Sequence, residues 1–141
     1  MKKILLTLAL AALALPAFAQ TDLRSRIAST TILAATTNTT AMTPSIGWNR
    51  DQVLVFQVTI TGTNAIAGTN LVFKFDTSND NTYWVASQHS ISVSYPGNAT
   101  ATTLARMTNS TGGKWLRLKQ IENINPAGGS VTVNTFNYSA N

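Results

Sequence analysis

The chain has 141 residues, no cysteine, and ten Lys or Arg against five Asp or Glu, for a formal net charge of +5. The missing cysteine excludes disulfide staples and a lipid anchor on a cysteine after a cleavage site. The bases are scattered along the chain and not gathered in one run, which argues against a nucleic-acid partner.

Residues 1–19 read as an export signal. Lys2 and Lys3 supply the positive start, Ile4 to Leu15 the apolar stretch, and Ala17-Phe18-Ala19 a small-x-small cleavage site before Gln20. The apolar stretch is too short for a stable membrane span, and no later one is long enough, so no span is expected after cleavage. The protein is thus expected to be exported, to the periplasm, the cell surface or the medium. Residues 20–47 form an N-terminal arm, with a weak strand over Ala28–Ala35 and a polar stretch, Thr36–Ser45, that suits a loop or a poorly buried edge.

From Trp48 to Asn141 the pattern is that of one β domain. Leu54, Phe56, Val58 and Ile60 alternate with Gln57, Thr59 and Thr61, which is the period of a half-buried strand. Leu71, Phe73 and Phe75 form the inward face of a second strand, with Lys74 outward. Asp76–Asn81 is a turn cluster, and Tyr83-Trp84-Val85 follows it. Ile91, Val93 and Tyr95 alternate up to the turn at Pro96-Gly97-Asn98, and Thr100–Met107 makes another strand. Asn109-Ser110-Thr111-Gly112-Gly113 predicts a hairpin. In the strand after it, Leu116 and Leu118 face inward, and Trp115, Arg117 and Lys119 face outward. In the last strand, Val131 and Val133 fall on one phase, and Phe136 and Tyr138 on the other. That slip near Asn134-Thr135 predicts a β-bulge. About seven or eight short strands with regular turn signals predict an all-β fold, a single antiparallel, jelly-roll-like β-sandwich.

Three motifs carry a resemblance. Asp51–Trp84 runs from an apolar strand through a Gly/Thr/Asn loop to an aromatic strand, then Ser78-Asn79-Asp80 and the pair Tyr83-Trp84. Lys114-Trp115-Leu116-Arg117-Leu118 comes later. Ile121-Glu122-Asn123 then leads through a Gly-containing loop to a final Val/Thr/Asn strand. This order resembles small β-sandwich decoration or fibre proteins of tailed phages and phage-derived regions. More distantly, it resembles the discoidin-type, galactose-binding-like jelly rolls. The first resemblance implies a surface-presenting part of an assembly, and the second a sugar-binding module. Asn81 stands where the second family's turn carries Gly, and Asn tolerates the positive φ that such a turn needs.

No catalytic constellation emerges. His89 is the one histidine, Glu122 the one glutamate, and no G-x-S-x-G elbow exists, so the protein is not expected to be an enzyme. Asp76, Ser78 and Asp80 offer oxygens at alternate positions, as in a calcium loop. The competing reading is a turn whose Asp and Asn side chains bond their own backbone. No cofactor is expected apart from calcium at that loop. Trp84 and Trp115, with Asn79 and Arg117, are the ligand-binding candidates, because sugars stack on flat rings while amides and guanidinium groups bond their hydroxyls. At least one of Trp84 and Trp115 is also expected in the core. Lys114, Arg117 and Lys119 suit a solvated or edge-guarding face. The Asn-x-Ser/Thr matches at Asn38, Asn98, Asn109 and Asn137 suggest exposed loops. The leading expectation is a non-catalytic structural or decoration role within a homo-oligomer or larger assembly. The alternative is a carbohydrate-binding module with a glycan partner.

Overall fold

The computed structural model describes residues 30–33, 37–38, 45–64, 70–94, 97–124 and 129–140. The expected signal peptide, most of the 20–47 arm and Tyr95 lie outside the described residues. The strands are β1 (Thr30–Leu33), β2 (Thr37–Asn38), β3 (Ile46–Gly47), β4 (Val53–Thr63), β5 (Asn70–Ser78), β6 (Val85–Ser94), β7 (Thr100–Thr108), β8 (Trp115–Asn123) and β9 (Ser130–Ala140). The first three are short, which takes the total past the seven or eight expected. No helix is present among the described residues.

Every strand pair is antiparallel, and the pairs are nested. β1 pairs with β9, β2 with β8, β4 with β7 and β5 with β6, as in a ribbon rolled up from its ends. The result is two sheets, ordered β1-β9-β4-β7 and β2-β8-β5-β6, with β3 a two-residue addition along β8. Leaving β3 aside, this is the strand order of a jelly roll, and the expected sandwich is what the chain forms.

The core follows from the alternation. Leu54, Phe56, Val58 and Ile60 on β4 face Leu71, Phe73 and Phe75 on β5, all at most 1% exposed. Leu116, Leu118 and Ile121 on β8 and Val131, Val133 and Phe136 on β9 complete the layer. Burying such a side chain contributes roughly 1.5–3 kcal/mol. The slip on β9 is a bulge. Thr59 faces Thr135 and Ile60 faces Val133, so Asn134 is the extra residue, and its amide donates to Thr61 Oγ1 at 2.7 Å.

Three expectations are corrected. Asn109–Gly113 does not close a hairpin, because β7 and β8 belong to different sheets and the segment crosses between them. Asn109 is no exposed loop residue but fully buried, since its amide serves as the hub of that crossing. The core tryptophan is Trp48, 1% exposed, and both Trp84 and Trp115 are only half-buried. Trp48 precedes β4 and is held by its indole N–H donating to the Gln52 carbonyl at 3.0 Å. Trp115 lies on the outward face of β8, where the alternation had placed it.

Candidate functional site

The turn joining β5 to β6 is built by its own side chains. Ser78 Oγ donates to Asp80 Oδ1 at 2.9 Å, and the same carboxylate oxygen accepts the backbone N–H groups of Thr82 and Tyr83, each at 2.9 Å. These donors, led by the Tyr83 N–H, then the Thr82 N–H and the Ser78 hydroxyl, hold the Asp80 carboxyl below its ordinary range. Asn81 takes φ 61°, the left-handed conformation the turn needs.

Below the turn, β6 carries an irregularity. Phe75 pairs with His89 and Thr77 with Val85, so Ala86, Ser87 and Gln88 stand against Asp76 alone. Ser87 adopts φ 51° and donates its N–H to Asp76 Oδ1 at 3.1 Å. The other Asp76 oxygen receives Arg117 from β8, with Nη2 at 3.1 Å and Nε at 3.3 Å. The Arg117 guanidinium lies 4.1 Å from the centre of the Trp84 ring. Arg117 is therefore sandwiched between a carboxylate and an aromatic face, a fixed and partly desolvated stack.

A cleft of about 340 Å³ opens at this end of the sandwich. The turn contributes Ser78, Asn79 and Asp80, and Tyr83 and Gln88 stand on the β6 side. Thr111 closes it from the β7–β8 crossing. Gly113 allows that crossing to approach β5, because a Cβ there would lie 3.0 Å from the Thr77 Cβ. Thr111 Oγ1 bonds His89 Nε2 at 3.1 Å, and His89 packs edge-on against Trp48 with ring centres 4.8 Å apart. Burial holds the His89 imidazole below its usual range, which favours the neutral ring. Among the described residues that line the cleft, the one acidic or basic side chain is Asp80.

The candidate residues thus separate. Arg117 and Trp84 meet each other, and Asn79 lines the cleft. Trp115 pairs in register with Ser78 but does not line the cleft. The Asp76 carboxylate is committed to Arg117 and Ser87, while Ser78 and Asp80 bond each other and the turn backbone. Among the described residues no three His, Cys, Asp or Glu side chains gather as metal ligands would.

Tyr83, one of the polar-tipped aromatics of the sequence but not one of its favoured ligand residues, is the ring the structure leaves open. It is 80% exposed and stands at the rim of the cleft, whereas one face of Trp84 is occupied by Arg117. Its place after a Ser-Asn-Asp-Asn turn was the available signal. Gln88 and Thr111 join the site only through tertiary pairing.

No protein-family model and no curated protein sequence matches the chain. Several solved structures overlap it, two of them as follows. One is the CBM22-1 xylan-binding domain of Paenibacillus barcinonensis Xyn10C, 13% identical, with a TM-score of 0.45 over 83% of this chain and 84% of that one. The other is the enzymatically active domain of tailspike protein 4 of bacteriophage CBA120, 12% identical, with a TM-score of 0.47. The overlap there covers 84% of this chain and 18% of the tailspike chain. At that identity and overlap, neither neighbour bears on what this protein binds.

Proposed function

We propose that the protein is a non-catalytic carbohydrate-binding module whose site is the cleft at the β5–β6 turn. The observation that carries this reading is the Tyr83 ring, 80% exposed beside a cleft whose walls bear amide, hydroxyl and carboxylate groups. An exposed ring on a soluble domain loses little by covering its face with the apolar side of a pyranose. Asn79, Gln88 and Asp80 are the groups that accept or donate to sugar hydroxyls, a few polar atoms fixing orientation around an apolar surface. Asp80 acts as an acceptor because its exposed carboxylate is ionised at neutral pH, and the hydrogen bonds of its turn favour that form further. The Asp76–Arg117–Trp84 stack supports the turn from beneath, so the site is anchored to β8 as well as to its own hairpin. Export, as expected from residues 1–19, suits a polysaccharide ligand outside the cell.

The test is isothermal calorimetry against a panel of neutral hexasaccharides: xylo-, cello-, manno- and chito-oligomers. At least one binds, and Tyr83→Ala weakens it by about tenfold or more, the effect of truncating a central aromatic contact. The thermal midpoint of that variant stays at the wild-type value, because Tyr83 packs on little. If no panel member binds, or if Tyr83→Ala binds as well as wild type, the proposal is wrong. The structural role, which the sequence ranks first, keeps one observation in its favour: the open edge of β7.

A further inference from the structure

Within the described residues, β7 pairs with β4 on one side and with no strand on the other. Proteins usually blunt such an edge with lysine, proline, a bulge or an inward charge. β7 has no lysine, proline or bulge, and its one charged side chain, Arg106, stands off-centre and exposed. Its sequence is Thr-Ala-Thr-Thr-Leu-Ala-Arg-Met-Thr, and its register with β4 runs unbroken from Val53↔Thr108 to Thr61↔Thr100. Hydroxyl pairs join it to β4, Thr59 to Thr102 at 2.9 Å and Thr61 to Thr100 at 2.7 Å. At its middle residue Leu104 points outward, 68% exposed, with Thr102 and Arg106 on either side on the same face.

We propose that two copies of this chain pair β7 to β7, antiparallel, about a two-fold axis through Leu104. The two four-stranded sheets then join into one continuous sheet. Directly opposed residues of an antiparallel pair share a face, so Leu104 meets Leu104 of the second copy. In the same register Thr102 faces Arg106 of the second copy, and Thr100 faces Thr108. Neighbouring registers are worse. Sliding one way by two residues sets Leu104 on Arg106 and by four opposes Arg106 with Arg106, and sliding the other way by two or four sets Leu104 on Thr102 or Thr100. Only the centred register joins the exposed leucines and keeps like charges apart. That self-complementarity selects a second copy, and not an unrelated peptide, as the occupant. A single strand pair is a small contact, so the dimer is reversible, with a dissociation constant in about the micromolar range. This inference is independent of the proposed sugar site.

Sedimentation velocity on the chain as recovered from producing cells, over a concentration series spanning the micromolar range, tests it. Wild type shifts from monomer to dimer along the series. Leu104→Lys stays monomeric throughout, because it sets two ammonium groups against each other at the axis, and it keeps the wild-type melting temperature. Thr102→Glu tightens the dimer several-fold, because its carboxylate faces Arg106 of the second copy. A wild-type protein that is monomeric across the series overturns the proposal, as does a dimer that Leu104→Lys leaves intact. A Thr102→Glu dimer no tighter than wild type overturns the register.

Discussion

Asn109 is the residue on which the cleft end of the molecule depends most. Its amide nitrogen donates to the carbonyls of Trp48 at 3.1 Å, Asn49 at 3.1 Å and Gly113 at 2.7 Å. Its Oδ1 accepts the Gly112 N–H at 2.9 Å, and its backbone bonds Asp51 and Gln52. One side chain thus ties the β7–β8 crossing to the segment that enters β4. Asn109→Ala would leave the buried Trp48 and Gly113 carbonyls without this donor, at a cost of about 2–4 kcal/mol. Urea denaturation checks it: the midpoint falls while the slope is unchanged. A loss below about 0.5 kcal/mol would mean that water or the backbone replaces the amide. None of this was legible in the sequence. Asn109 sits in one of several Asn-x-Ser/Thr matches, and local turn chemistry looks the same whether a turn joins neighbours or sheets. Tyr83 and Trp84 show the same limit. Both are aromatic and adjacent, and only the place of Arg117 decides which ring is covered.

The strands were legible because alternation is a local property. Every second residue of β4 is buried, and even the bulge at Asn134 announced itself as a slip of phase between Val133 and Phe136. Strand order was not legible, because nested pairing of β1 with β9 or β4 with β7 joins residues far apart in the chain. The partner of Asp76 was not legible for the same reason, since Arg117 comes from β8. Pairing also decides which core residues hold the sheets together. Phe136 of β9 packs with Phe56 of β4 at 5.3 Å between ring centres and with Phe73 and Phe75 of β5 at 5.2 and 6.2 Å. It therefore touches rings from both sheets. Phe136→Ala is expected to cost about 3–5 kcal/mol, a large part of the roughly 5–15 kcal/mol that stabilises an ordinary domain. Urea titration with tryptophan fluorescence measures it. A cost near that of an exposed site would show that the sheets pack independently of this ring.

At the scale of the whole molecule, the cleft and the β7 edge are compatible. The cleft draws on the β5–β6 turn and on Thr111 and Gly113, which lie beyond the end of β7, so pairing along β7 takes no cleft residue. A dimer then carries two sites, and a repeating polymer can engage both. The second contact is intramolecular and is governed by an effective concentration, without any new interaction. This separates the ligand's length from its chemistry. A short oligosaccharide fills one cleft and binds wild type and Leu104→Lys equally. A long polysaccharide binds wild type more tightly by about tenfold or more, provided the chain can span the two clefts. Affinity electrophoresis in gels carrying the polymer, set beside calorimetry with the matching hexasaccharide, reads both quantities. The wild-type advantage should vanish when the protein is diluted below the dimer's dissociation constant, because avidity cannot outlast the pair that creates it. If Leu104→Lys binds the polymer as well as wild type does, the clefts of a dimer do not reach one chain. Pairing along β7 then serves assembly alone, the role the amino-acid pattern first suggests.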